Sequence, residues 1–194
     1  MKKIIALFAL FYISHSAKAQ DVSVANNLFG FQLGILSASF INETRLNRKL
    51  TLHTEIGASI NFYTVKSNNT DIKDKTETIS LPYITVEPRY YYGLDRRSKL
   101  GKNIKNNSAN YFSFATTYYA TNLAISNSNS SSKVAKSLTF VPDFGIRRSF
   151  AKNFNYEFVF GVGYKYNIFD DTIVCNCKHN EVALDIQAKI GYNF

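Results

Sequence analysis

The sequence has few of the residues that stabilise small disulfide-rich or metal-bound domains. It contains only two cysteines, Cys175 and Cys177, and no tryptophan. Two cysteines separated by a single residue do not make a disulfide framework. Even together with His179 they supply fewer ligands than the four that structural zinc sites use. We therefore expect two ordinary loop thiols, with no metal site and no cofactor.

Long hydrophobic runs are also scarce. The run at 4–13 follows two lysines and precedes the sequence Ala-Lys-Ala at 17–19. This order is typical of a secretory signal peptide, and the run is too short to span a bilayer as a helix. No cysteine follows the cleavage site, which argues against a lipoprotein anchor. We predict a cleaved leader at 1–19 and a single mature domain at 20–194, without a transmembrane helix.

Acidic residues are fewer than basic ones. The formal net charge is +9, and it falls when the lysines of the leader are removed. A basic protein can bind nucleic acid, but a secreted one is more plausibly in contact with anionic lipid. We therefore expect membrane lipid and lipopolysaccharide as partners, and no nucleic acid.

The pattern that is present throughout is a two-residue alternation of apolar and polar side chains. It runs through six segments, at 49–63, 81–92, 111–121, 137–150, 156–168 and 181–194. Period two predicts strands, and no segment of the mature chain has a helical period. The stretch at 22–43 is either one strand or a hairpin bending near Gly34, with strands at 22–32 and 36–43. Because bacterial single-chain barrels have even strand numbers, we take the hairpin and predict eight strands.

The connectors alternate between short and long. Those at 42–48 and 151–153 are short, whereas 64–78, 123–136 and 170–180 are long and polar. Short turns at one end and long loops at the other are typical of outer-membrane barrels. The connector at 93–110 is the exception, since it is long and basic but falls at the short-turn end. It is either a solvated turn or a contact for lipid phosphates or cell-wall polymer.

Three features favour a membrane barrel over a soluble sandwich or lipocalin-like barrel. Charged residues keep to the polar face, except Arg148 close to a turn, as expected where an outward Arg or Lys costs about 2–4 kcal/mol at mid-bilayer. The same face is rich in small residues, which suit the narrow interior of an eight-stranded barrel. Aromatic residues collect near strand ends on the apolar face, at positions typical of the membrane–water interfaces. The predicted fold is therefore an all-β, eight-stranded antiparallel transmembrane barrel in the outer membrane.

Two sets of residues follow from this facing. The predicted structural ion network of the lumen consists of Glu55, Glu87, Arg89, Asp143, Arg147, Glu157, Lys165, Asp185 and Lys189. The predicted aromatic girdle consists of Tyr90, Tyr92, Tyr156, Tyr164, Tyr166, Tyr192 and Phe194.

Three stretches carry a family resemblance. "TVEPRYYYGL" at 85–94, "GIRRSF" at 145–150 and "NYEFVFGVGYKYN" at 155–167 resemble small outer-membrane β-barrel proteins of Bacteroidetes-type bacteria. The resemblance covers nearly all of the mature chain. It implies a fold and an outer-membrane location, and it carries no known chemistry. The aromatic Phe194 at the end of an alternating strand also resembles the signal read by the outer-membrane assembly machinery.

Three functions remain open from the sequence. The first is a structural or interaction barrel, monomeric, whose working surface is the loops at 64–78, 123–136 and 170–180. The second is a narrow channel, and the third is a lipid-modifying enzyme. His53, Glu55 and Ser59 suggest hydrolysis, but parity puts all three on the lumen face, away from a lipid substrate. We therefore expect no catalytic residues.

Overall fold

The computed structural model describes residues 22–65, 75–120, 123–126, 135–169 and 178–194. The predicted leader at 1–19, Cys175, Cys177 and the middle of each predicted long loop lie outside the described residues. No helix in the described ranges is long and apolar enough to cross a membrane.

The described chain is a closed barrel of eight antiparallel strands, as predicted. The strands are β1 (Asn27–Gly34), β2 (Ser37–Arg45), β3 (Leu50–Val65), β4 (Lys75–Tyr90), β5 (Asn110–Tyr119), β7 (Lys136–Ser149), β8 (Phe154–Ile168) and β9 (Asn180–Asn193). Each pairs with the next along the chain, and β9 pairs with β1 to close the ring. A two-residue strand, β6 (Ile125–Ser126), pairs with β4 beyond the end of β5.

The stretch at 22–43 is a hairpin and not a single strand. β1 and β2 pair from Asn27↔Thr44 to Leu33↔Ala38, so the chain turns at 35–36, directly after Gly34. Both strands begin and end later than the 22–32 and 36–43 of the sequence prediction. Residues 22–26 precede β1 at the turn end, where the Val24 amide donates to the Arg48 carbonyl and the Asn26 carbonyl accepts from the Arg45 amide. β3 and β4 are longer than predicted, so part of the expected loop at 64–78 is strand.

The alternation of side chains has the expected physical meaning. In β8 every second residue from Asn155 to Gly161 is buried, and the residues between them are exposed. Large apolar side chains such as Phe40, Ile56 and Phe160 point outward, on β2, β3 and β8. The interior therefore holds polar and small residues, and the outer surface is apolar.

One expectation is wrong in the basic connector at 93–110. We expected no helix, but the connector contains α1 (Leu94–Lys99) and a 3-10 turn (Lys105–Asn107). A helix of six residues is too short to produce a hydrophobic period in the sequence. Tyr91 continues the inward face of β4 beyond the end of the strand, and Leu94, at the start of α1, is buried in the same cluster.

The wall of the barrel is not equally high all round. β3, β4 and β9 have 16, 16 and 14 residues, whereas β1 and β2 have only 8 and 9. The ladder between β1 and β9 ends at Gly34↔Lys189, and that between β2 and β3 ends at Ser37↔Ser59. Above the β1–β2 turn, β3 and β9 continue toward the loop end without a described strand between them. We call this gap in the wall the notch.

Candidate functional site

The turn end of the barrel is closed by an apolar plug. The plug consists of Val24, Tyr91, Leu94, Ala109 and Tyr111, all buried, with Val22 and Ile104 packed against them. The rings of Tyr91 and Tyr111 lie 5.2 Å apart between centroids. The connector is fastened to neighbouring turns by hydrogen bonds that Asn103 and Asn106 donate to the carbonyls of Ser149 and Lys152. The basic segment is therefore a folded cap rather than a loose turn.

A layer of buried ion pairs lies directly above the plug, and Glu43 is its centre. Glu43 accepts hydrogen bonds from Arg147 Nη1 at 2.6 Å, from Thr51 Oγ1 at 2.8 Å and from Asn107 Nδ2 at 2.8 Å. Its carboxylate also lies 3.7 Å from Arg89 Nη1. These contacts join β2 to β3, to β4, to β7 on the far side of the lumen and to the cap. A single carboxylate therefore ties together four strands and the connector.

Arg89 forms the second junction of this layer. Its Nη2 lies 2.8 Å from Glu87 Oε2 and 3.0 Å from Glu157 Oε1. The guanidinium carbon sits 4.6 Å from the ring centroid of Tyr111, and the Tyr111 hydroxyl donates to Glu157 at 2.7 Å. Removing one of these buried charges would therefore leave another uncompensated.

A third junction leads toward the loop end. Lys189 Nζ donates to Glu55 Oε2 at 2.8 Å, and the Tyr83 hydroxyl donates to Glu55 Oε1 at 2.6 Å. His53 lies between two carboxylates, 3.5 Å from Glu55 and 3.8 Å from Glu43. The network is thus continuous from β2 through β3 to β9.

Above the network lies a cavity of about 410 Å³. Its floor includes Glu55, Glu87, Arg89 and Lys189, and its walls include Thr85, Thr117, Tyr119, Asp143 and Asp185. The notch residues Ile35, Leu36, Ile60, Leu184 and Ile186 also line it. Leu184 and Ile186 belong to the outward face of β9, so the cavity reaches the outside of the wall at this place.

Two carboxylates of the cavity wall face each other across a glycine. Asp143 is the register partner of Gly161, and Gly161 is the register partner of Asp185. A Cβ on Gly161 would collide with the Asp143 carboxylate, so the absence of a side chain makes the room that this carboxylate occupies. Asp185 accepts from Gln187 Nε2 at 2.6 and 2.7 Å. Asp143 is only 3% exposed, and neither of its oxygens has a hydrogen-bond partner among the described residues.

The structure brings most of the predicted network together. The contacts described above are formed by Glu55, Glu87, Arg89, Arg147, Glu157 and Lys189. Asp143 and Asp185 lie in the cavity wall, outside these contacts. Lys165 does not join them. Its Nζ pairs with Glu181 at 3.2 Å, and both side chains are more than one-third exposed, because β8 and β9 have left the packed interior at that height.

The predicted girdle residues are all exposed on the outer face. Tyr90, Tyr92, Tyr156, Tyr192 and Phe194 lie toward the turn end, and Tyr164 and Tyr166 lie toward the loop end. The two groups are therefore separated along the barrel by apolar side chains.

Sequence reasoning missed Glu43 and Tyr111, and it treated His53 only as a failed catalytic candidate. Glu43 was the last residue of a segment with uncertain strand number, so its parity was not used. Its alternation with Ile41 and Ser39, all buried, was the available signal. Tyr111 has a comparable signal, its parity with Ser113 and Ala115, but this pattern does not show which neighbour leaves room for the ring. That neighbour is Gly145, because a Cβ at this position would collide with the Tyr111 ring.

The other candidate constellations are not assembled. His53 is held between Glu43 and Glu55, whereas the Ser59 hydroxyl donates to the Leu81 carbonyl at 3.4 Å. No group of His, Cys, Asp or Glu able to hold a metal ion occurs within the described ranges. At the turn end, Lys49 and Asp95 form a partly exposed ion pair. Their hydrogen bond raises the pKa of Lys49 and lowers the pKa of Asp95.

Comparison of the chain with family models, with curated proteins and with solved structures found no match.

Proposed function

We propose that the chain is an outer-membrane β-barrel of the interaction or binding type, which works from its loop end and does not conduct ions. The absence of ion conduction is inferred from the closed lumen. The apolar plug and the Glu43–Arg147 layer lie one above the other across the bore, so a permeating ion has to break a buried ion pair and then cross a dry cluster.

The outer surface supports a membrane location. Large apolar side chains on β2, β3, β8 and β9 are exposed, including Phe40, Ile56, Phe160 and Ile186. In water, an apolar belt of this extent is an aggregation hazard. In a bilayer it is the surface that a barrel needs, with tyrosines at both margins. The predicted leader at 1–19 and the aromatic Phe194 fit export and assembly into that membrane.

Fractionation and gel migration test the location. The protein should be recovered with outer-membrane lipid, begin at Gln20 after cleavage, and migrate differently on a denaturing gel before and after boiling. Recovery in the soluble periplasmic fraction, without a heat-dependent shift, contradicts the proposal.

Planar bilayers test the closed lumen. The heat-modifiable barrel should give no discrete conductance steps above the lipid baseline. Leu94→Asp places a charge in the plug and serves as the comparison, since it should favour hydration of the turn end. Steps from the unaltered protein of the size expected for a water-filled pore would favour the channel instead.

A further inference from the structure

We infer that the loop-end cavity is a binding site for an amphiphilic organic cation, whose ammonium head lies between Asp143 and Asp185 and whose chain leaves through the notch. This inference rests on the proposed membrane location and adds a ligand class to it. It draws on three independent features of the structure: the charges of the cavity, the unpartnered carboxylate and the gap in the wall.

The charge of the cavity favours a cation. Among its lining residues, Glu55 is neutralised by Lys189 and Glu87 by Arg89. Asp143 and Asp185 are left without a cation within ion-pair distance in the described part of the chain. A buried carboxylate without a charged partner is costly, so a binding site that keeps one favours a ligand that supplies the missing charge.

The position of the two aspartates suits a small head group with several donors. They are separated by one strand, β8, so their backbones are about 10 Å apart at roughly 4.8 Å per strand. Both lie in one register row, and Gly161 between them contributes no side chain. Because the Asp143 carboxylate fills the space over Gly161, an ammonium group on the side of this carboxylate that faces Asp185 can donate to both carboxylates.

The notch provides the exit for an apolar chain. β9 from Glu181 to Ala188 pairs only with β8 in the described structure, and its outward residues Val182 and Leu184 are 78% and 64% exposed. Across the gap, Ile60 lies at the end of the β2–β3 contacts, and the β1–β2 turn residues Ile35 and Leu36 form the lower edge of the notch. An open sheet edge is not stable against hydrocarbon, and it is tolerated where it lines a hydrated or ligand-filled cavity.

The binding test uses the folded barrel in detergent, after its heat-dependent gel shift has been verified. Dodecylammonium is compared with dodecanoate and dodecanol, with the temperature of the gel shift and titration calorimetry as readouts. Dodecylammonium should raise the transition temperature and bind at least tenfold more tightly than the other two. Equal effects of the three amphiphiles overturn the inference and indicate only a non-specific apolar groove.

Variants separate a binding role from a structural one. Asp143→Asn and Asp185→Asn should each weaken dodecylammonium binding tenfold or more. Asp143→Asn should leave the transition temperature of the ligand-free barrel unchanged or higher, because it removes an unpartnered charge. The matched control, Asp95→Asn, lies at the turn end and should bind like the unaltered protein. If Asp143→Asn binds equally well, the head-group site is wrong.

The route of the chain is tested with single tryptophans, because the sequence contains none. Ile60→Trp places the reporter beside the notch, and Ile84→Trp places it on the outer face of a fully paired strand. A dodecylammonium brominated at mid-chain should quench the first reporter saturably, in step with binding. The second should be quenched only in proportion to bulk amphiphile. Saturable binding without quenching beside the notch overturns the lateral route.

The two proposals fail in different ways. A protein that is soluble and shows no heat-dependent shift contradicts the membrane location itself. A protein that is inserted and heat-modifiable but does not distinguish dodecylammonium from dodecanoate contradicts the binding site alone.

Discussion

Replacement of Glu43 by glutamine is the sharpest test of the buried network. The amide keeps the size and shape of the side chain and removes its charge. Arg147, which lies 2.6 Å away and is fully buried, then loses its nearest counter-ion. Removing one member of a buried ion pair costs about 3–5 kcal/mol, since the remaining charge stays desolvated. Glutamine cannot restore the layer, because its carbonyl oxygen can still accept from Thr51 and Asn107 only if its NH2 group faces the Arg147 guanidinium.

The assay is the temperature at which the unboiled gel band is lost. At roughly 2–4 °C per kcal/mol for a chain of this size, the Glu43→Gln barrel should shift down by about 6–20 °C. The matched control is Glu181→Gln, the same chemical change at an exposed pair with Lys165 near the loop end. Exposed pairs contribute about 0–1 kcal/mol, so the control should shift little. Equal transition temperatures for the two variants refute the paired interior and indicate a hydrated lumen.

Three further outcomes follow from the same structure. Gly145→Ala should lower the transition temperature in the same gel assay, because its Cβ meets the Tyr111 ring; unchanged stability means that this ring is free to move. In a cysteine-free background, a single cysteine at Ile186 should react with a lipid-phase label, and one at Glu157 should not; reversed labelling indicates a one-residue register error. Leu94→Asp should raise proteolytic cleavage of the cap in the folded barrel, and unchanged resistance would show that the plug does not depend on this residue.

Strand number and facing could be predicted because period two is read directly from residues such as Ile56 and Phe160. The outer wall requires apolar side chains and the lumen requires polar or small ones. The alternation within a single strand therefore shows which of its faces points outward. The hairpin at the start was harder, since alternation does not show where a strand turns. Gly34 was the useful signal there.

The cap and the notch could not be predicted, and for different reasons. The cap depends on Tyr91 and Leu94 packing into the turn end of the lumen beside a short helix. This is a tertiary contact, and it leaves no periodic pattern in the local sequence. The notch depends on the unequal lengths of β2 and β3, and the sequence around Ser59 does not reveal where pairing stops. The aspartate pair could not be predicted either, because Asp143 and Asp185 come together only through the register of their two strands with Gly161.

The closing ladder between β1 and β9 has a consequence for how the barrel comes apart. It runs only from Gly30↔Asn193 to Gly34↔Lys189, whereas β3 and β4 pair along their whole length. It also joins the most distant parts of the chain, so closing it costs more loop entropy than any hairpin does. This seam should therefore form last in folding and separate first on heating. Lys189, at its upper end, holds Glu55 of β3 across the seam at 2.8 Å. One buried ion pair thus adds a side-chain link between β9 and β3 beside the short ladder that closes the barrel.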